Sequence, residues 1–386
     1  MTMLIVRLKP GKETPVTNGH PWIFSGAVDR VQGEPHRERL CRVLNARGQF
    51  VCQGMYNPAS QIAVRVLTTG KEPIGKDFFR ARILGAMELR RSFVGSDTTC
   101  LRLVNGEGDL LPGLVVDRYG DVLVVQVATP GMDDVKSDIV DVLREALPSC
   151  CIVERSDTRA RQAEGLRAEV GPLHKGPIPG EVEVTENGIP YAVDVLTGDR
   201  TGFYLEHRLT RGRIAAYARG RTVLDVFSYT GSFSVCALKA GAVSITSVDS
   251  SAPAQVQIKR NMELNRIRPF VWRHHKEDAT RFLQADRELY GLVFLDAPAA
   301  YSEYAEFRKL CRLTADRVVP GGILFVLAGV TSQFEHQDIL KALQRTASSL
   351  SRKARVLEAL TSPPDFPWLP SHPQGLHQAG FVVHLE

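Results

Sequence analysis

From Gly220 onward the sequence alternates short apolar runs with amphipathic segments, and few architectures satisfy that rhythm. The runs are TVLDVF (222–227), SITSVD (244–249), FVWRHH (270–275), LVFLDA (292–297) and GGILFVLA (321–328). Each precedes a stretch with apolar residues at helical spacing: one beginning near Gly231, then APAQVQIKRNMELN, DATRFLQAD, EYAEFRKLCRLTADRV and QFEHQDILKALQRTASSL. Parallel strands need a long crossover, so five βα units in succession predict a parallel sheet covered by helices on both faces. Ligands of such sheets bind beyond the carboxyl ends of the strands. Two last runs, ARVLEAL (354–360) and GFVVHLE (380–386), have no clear helix between them and predict a terminal antiparallel pair.

The chain before this region reads differently. MLIVRL, ERLCRVLNA, QFVCQGMYN and QIAVRVLTT are short strands set off by Pro10-Gly11, Asn18-Gly19, Gly33, Gly48 and Asn57-Pro58, which predicts a small β-rich domain over residues 1–72. A helix, DFFRARILGAMELRRSF, then opens an α+β region with hairpins over 73–195, and the βα region occupies 196–386. Charge follows the same division: up to Gly75 there are ten Lys or Arg against five Asp or Glu, and the net +5 of the whole chain lies there. A small basic module suits phosphate contacts, and a solvated charged face is the alternative. No run of about 18 uncharged apolar residues occurs, and Arg7 and Lys9 interrupt the first apolar stretch, so a cytoplasmic chain with no membrane span or signal peptide is expected. The seven Cys show no C-x-x-C spacing and mostly sit in apolar runs, which predicts buried thiols and no metal site.

The first βα junction, DVFSYTGSFSVCALKAGA, combines Ser228, Thr230, Gly231 and Ser232 in a tight turn that lets backbone N–H groups approach a ligand. It lacks the G-x-G-x-x-G that admits a dinucleotide pyrophosphate, which weighs against a nicotinamide or flavin oxidoreductase. Asp249 ends the second strand eighteen residues after Gly231, where a carboxylate can accept ribose hydroxyls; Asp278 follows the third strand and Asp296 ends the fourth. This row suits S-adenosylmethionine, with its ribose at Asp249, adenine near Asp278 and methionine end near Asp225 and the first loop. Capping of the next helix is the structural alternative for any one of these residues. The terminal strand pair also fits a methyltransferase-type Rossmann-like sheet better than a dehydrogenase sheet.

Taken in order, TGFYLEHRLTR (201–211), VLDVFSYTGSFSVCALKAGA, SVDSS and NMELN resemble the bacterial large-subunit rRNA cytosine-5 methyltransferases that carry an N-terminal PUA domain. GHPWIFSGAV (19–28) and YNPASQIAVRVLT (56–68) resemble the PUA signature of that family, RLVNGEGDLLPGLVVDRYGDVLVVQ (102–126) and ERSDTRARQAEGL (154–166) its central domain, and PQGLHQAGFVV (373–383) its closing strands. The resemblance implies a PUA domain that grips RNA, with 23S rRNA the expected substrate. Trp22 and Phe24 can stack on RNA or pack in a core. A homodimer is left open. It also implies that Phe227, Tyr229, Gly231, Asp249, Asp278 and Asp296 line the cofactor pocket, with Tyr204 and Arg208 from the preceding loop. Glu206 and His207 share that loop, where a lone histidine is read as solvated.

Two motifs depart from the family. Methylation at cytosine C5 requires a thiolate to add at C6 and push electron density onto C5. The family carries that Cys in a Ser-Cys-Ser-Gly turn after strand five, and here Ala328, Gly329 and Val330 stand on the Ser-Cys-Ser positions. The Asp-Pro-Pro-Lys motif of strand four is Asp-Ala-Pro-Ala, Asp296 to Ala299. Cys236 and Cys311 both fit buried helix positions and do not replace the nucleophile. Two readings stand: a methyltransferase with another target, such as an exocyclic amine held by Asp296, a backbone carbonyl and Tyr301, or an RNA-binding pseudo-methyltransferase that holds cofactor without turnover.

Overall fold

The computed structural model describes residues 3–34, 39–176, 178–298, 301, 303–329, 334–376 and 378–386. Internal contacts divide the chain into two compact units: Met1–Val182 with Asp194–Phe203 and Pro364–Gly375, and Glu183–Val193 with Tyr204–Pro363 and Leu376–Glu386.

The first unit contains two sheets. A six-stranded sheet runs in the order Trp22–Phe24, Ile62–Thr68, Phe50–Tyr56, Leu40–Leu44, Leu4–Leu8, Val28–Gln32. The four runs read as strands are all present; the two strands that the sequence reading passed over, Trp22–Phe24 and Val28–Gln32, are the edges, which are short or half-exposed and carry little apolar periodicity. A five-stranded sheet of Glu169–His174, Cys151–Ser156, Val122–Val127, Leu114–Tyr119 and Cys100–Asn105 packs with the helices Lys76–Arg91 and Lys136–Ala146. Glu164 explains why these parts hold together as one unit: its buried carboxylate accepts Arg65 twice, at 2.8 and 3.0 Å, together with Ser60 Oγ at 2.7 Å and Asn57 Nδ2 at 2.8 Å. A carboxylate with that many charged and neutral donors tolerates burial that an unpaired one would not.

The second unit is built on one seven-stranded sheet. Its strands are β1 (Thr222–Val226), β2 (Ser244–Val248), β3 (Trp272–His275), β4 (Tyr290–Ala297), β5 (Val318–Gly329), β6 (Ala354–Thr361) and β7 (Gln378–Leu385). They lie side by side as β3-β2-β1-β4-β5-β7-β6, with β7 antiparallel to both neighbours and β1 to β5 parallel. The expected terminal antiparallel pair is therefore present, and its return strand inserts beside β5. Among the described residues six α-helices accompany the sheet: α1 (Arg208–Ala218), α2 (Ser232–Lys239), α3 (Ala252–Leu264), α4 (Ala279–Ala285), α5 (Tyr304–Ala315) and α6 (His336–Ser349). The central strands β1, β4 and β5 are buried on both faces, which is why their sequences are continuous apolar runs rather than alternating ones. Register levels the strand ends: Asp296 of β4 lies beside Leu327 of β5, and Gly329 of β5 lies beside Gln378 of β7.

Candidate active site

The turn after β1 is the most constrained backbone in the second unit. Phe227, Tyr229 and Gly231 have φ of 62°, 43° and 73°, so three of five consecutive residues are left-handed. For Phe and Tyr this conformation costs about 1–2 kcal/mol each and persists only where its surroundings impose it. Here Ser228 N donates to Val248 O at 3.0 Å, Gly231 N to Ser228 O at 2.8 Å, and Tyr229 N to Asp249 Oδ2 at 2.8 Å. Gly231 is required on two counts: its left-handed φ, and the Ile258 Cγ1 of α3 that a Cβ would meet at 2.3 Å.

Asp249 does more than end β2. Its other oxygen, Oδ1, accepts Ser251 N at 2.8 Å, so one half-buried carboxylate ties the turn after β1 to the start of α3. Asp225 lies buried behind it. Ser234 Oγ donates to Asp225 Oδ2 at 2.6 Å, and the opposite oxygen, Oδ1, is buried without a hydrogen-bond partner. Burial, with the charges of Asp296 and Asp249 added, pushes the Asp225 carboxyl up to about 7.

Asp296 meets a residue that sequence reading had placed in solvent. His207 is 3% exposed, and its Nε2 lies 2.9 Å from Asp296 Oδ2. Gln378 Nε2 lies 2.5 Å from His207 Nδ1, a contact across 171 residues of chain. The ring stacks on Tyr204, with centroids 5.4 Å apart and planes 7° apart, and Tyr204 meets Tyr229 edge-on at 5.4 Å. His207 is buried because the loop carrying it folds inward between Tyr204 and Phe233, the latter also 5.4 Å away. Arg211 Nη2 fixes this loop by donating to Tyr204 O at 2.9 Å while pairing with buried Glu186.

Asp225, Phe227, Tyr229, Gly231, Asp249, Asp296 and Tyr204 are thus joined through the strand ends and their turns. Arg208 opens α1 and is buried. Asp278 takes the capping role: its Oδ1 accepts Arg281 N at 2.8 Å at the start of α4. Tyr301 lies 5.5 Å from the Phe227 ring, with its hydroxyl 3.2 Å from Thr280 Oγ1. Ala299 and Val330 lie outside the described residues. Ala328 is buried at the end of β5 and Gly329 is exposed.

No thiol offers itself as a nucleophile. Cys236 is buried in α2 beside Tyr191 Oη at 3.0 Å, and desolvation pushes it up to about 12. Cys311 is buried in α5 and is pushed higher still by the same cause. A thiol so raised is protonated at neutral pH and inert.

A sheet of this order, with a left-handed first turn braced by a carboxylate, defines an adenosylmethionine-dependent methyltransferase fold. The orphaned, buried oxygen of Asp225 fits a cationic ligand group, and Asp249 beside the turn fits ribose hydroxyls. Residues 173–379 match the family described as S-adenosylmethionine-dependent methyltransferase, and residues 6–69 match a PUA-like domain. Proteins called Ribosomal RNA large subunit methyltransferase I are similar end to end. That of Shewanella amazonensis is 35% identical, with 98% of this chain and 99% of the relative covered, and that of Vibrio campbellii is 34% identical, with 100% of each covered. The chain belongs to this family of PUA-domain, adenosylmethionine-dependent large-subunit rRNA methyltransferases. Among solved structures, a putative SAM-dependent methyltransferase from Streptococcus mutans superposes with a TM-score of 0.87 at 20% identity over 98% of this chain and 100% of its own. A putative methyltransferase complexed with SAH gives 0.88 at 20% identity over 99% and 100%. At that identity the two structures speak for the fold alone.

Proposed function

We propose that this chain transfers the methyl group of S-adenosylmethionine to 23S rRNA by chemistry that uses no cysteine thiolate. Asp249 carries the reading: one carboxylate at the end of β2 holds the left-handed turn in place while standing where ribose hydroxyls would be accepted. In this reading Asp225, Phe227, Tyr229, Gly231, Asp249 and Tyr204 hold the cofactor, Arg208 and Asp278 border it, and Asp296 faces the reacting atoms. The cofactor, when bound, supplies an electrophilic methyl carbon. Tyr204, Phe227 and Tyr301 give the aromatic surface on which a flipped-out base is held.

Residues 1–72 serve as the RNA-gripping part, 73–195 as the connecting part and 196–386 as the transferring part. The N-terminal surplus of basic residues supports the first assignment, as does Phe24, 49% exposed next to half-buried Trp22. Trp22 itself is half core, since its Nε1 donates to Glu107 at 2.8 Å. The chain is taken to work in the cytoplasm, in keeping with the absence, among the described residues, of any helix long and apolar enough to cross a membrane. A homodimer belongs to the same reading, with edge strand β6 and its exposed Val356 and Leu357 as the available surface; sedimentation tests it.

The test is transfer of labelled methyl from S-adenosylmethionine to ribosomal RNA prepared from cells lacking this protein. Label in 23S rRNA is expected. Cofactor binding by calorimetry with no label transferred to any ribosomal RNA defeats the reading and leaves a binding protein.

A further inference from the structure

The strand-end position that the resemblance assigns to a nucleophile, Gly329, lies in register beside Gln378, and Gln378 begins a chain of side chains that ends at Asp296. We propose that Gln378 and His207 are positioning residues for Asp296, and that Asp296 is the proton acceptor for a nitrogen target on the RNA base. The inference rests on the methyltransferase reading above and adds the class of acceptor atom.

The chemistry follows from donors and acceptors. Gln378 Nε2 carries only donors and lies 2.5 Å from His207 Nδ1, so Nδ1 is the acceptor and the ring proton sits on Nε2. The nitrogen that carries this proton lies 2.9 Å from Asp296 Oδ2. The separation is that of an ion pair, but the N–H direction is off the carboxylate and His207 Nε2 forms no hydrogen bond in this conformation. Such contacts commonly tighten only when substrate is bound. The His207 side chain is 4% exposed and that of Asp296 is 23% exposed, so the imidazole is walled in while the carboxylate keeps an accessible edge. A neutral imidazole in this place holds Asp296 as an oriented anion without cancelling its charge.

Carbon and nitrogen acceptors make different demands. Cytosine C5 needs a covalent activator, which no thiol here supplies. An exocyclic amine nitrogen needs no covalent activator: it has only to be oriented and to lose one of its own protons as its electron pair forms the new bond. The nitrogen lone pair forms the N–C bond as the S–C bond breaks with its electron pair left on sulfur, and the nitrogen then passes one proton to Asp296. Charge balances: a cationic methyl donor and an anionic carboxylate become a neutral thioether and a carboxylic acid. Besides Asp296, the ionisable groups around His207 are Tyr204, stacked on the ring, and Arg211, whose guanidinium lies over Phe233; Arg208 follows it in the chain, and Asp225 stands behind Asp296.

Three measurements test the proposal. Nitrogen-15 spectra of histidine-labelled protein without ligands, assigned by His207→Gln, should show Nδ1 unprotonated and Nε2 protonated near neutral pH; the opposite tautomer overturns it. Nucleoside mass spectrometry of methylated rRNA should place the new methyl on nitrogen; transfer to carbon 5 overturns this inference alone, whereas no transfer by the natural protein overturns the methyltransferase reading and this one with it. His207→Asn should lower single-turnover transfer about 100-fold, and His207→Gln, whose amide N–H can replace the Nε2 proton, should recover most of the rate. An equal fall in both variants, with no rescue by His207→Gln, means that His207 is only structural, and overturns it.

Discussion

The two sides of the second unit's sheet share a core but differ at their carboxyl ends. On one side, β2, β1 and β4 end in Asp249, Asp225 and Asp296, with a turn that is left-handed at three positions. On the other, β5 ends in buried Ala328 opposite Ala379, then Gly329 opposite Gln378. Both sides draw on one cluster that includes Leu224, Val293, Val326 and Val383, so packing does not distinguish them. Backbone strain and the buried carboxylates are concentrated on one side, and a fold keeps such features where a ligand can compensate for them. Among the described residues the β5 side supplies no reactive atom of its own; its contribution is the Gln378 amide, reaching across to the other side.

Four substitutions bear on this contrast. The largest effect is expected from Gly231→Ala, which forces a Cβ against Ile258 at a left-handed position; urea unfolding should show a loss of about 3 kcal/mol. Next, Asp249→Ala removes the acceptor of two backbone N–H groups, so stability should fall by about 2 kcal/mol and calorimetry should show cofactor affinity weakened at least about 10-fold. Unchanged affinity would mean the pocket lies elsewhere.

Asp225→Asn should act in the opposite direction. Because the folded carboxyl is raised to about 7 from an ordinary 3.8, the protonated form is favoured by folding: its stabilisation is complete below about pH 4 and disappears as pH rises through about 7. A neutral amide escapes that loss, so the variant without ligand should gain about 2 kcal/mol over the natural protein at pH 8 and roughly nothing at pH 4, measured by urea unfolding at both pH values. If Asp225 faces the cationic groups of S-adenosylmethionine as proposed, the same variant should bind it more weakly at pH 8. The smallest effect on stability, within about 0.5 kcal/mol, belongs to the exposed Gly329→Cys. Its readout is chemical: appearance of 5-methylcytidine in rRNA would show that the β5 side lacks only its thiol.

Much of this was legible in the residues because short-range rules govern it. Asp249 and Asp296 follow from apolar runs that end in a carboxylate, and Gly231 from the tight turn after the first strand; that this turn is left-handed at three positions came from the structure. Asp278 was legible too, but as a helix cap: it stands one residue before α4, and its Oδ1 accepts the third N–H along. What was misread was His207, taken as solvated because nothing nearby in sequence marks it as buried.

The sequence by itself determined the parallel sheet, the terminal strand pair, the basic N-terminal part and the absence of a cysteine at the end of strand five, since each depends on periodicity, charge or identity at a single position. Only the tertiary structure decided that His207, Asp296 and Gln378 form one chain. They come from a loop before β1, the end of β4 and the start of β7, and their side chains meet only once β7 has paired antiparallel with β5 and brought Gln378 level with Gly329. No local propensity encodes a contact between segments so far apart; it exists because the sheet closes the distance.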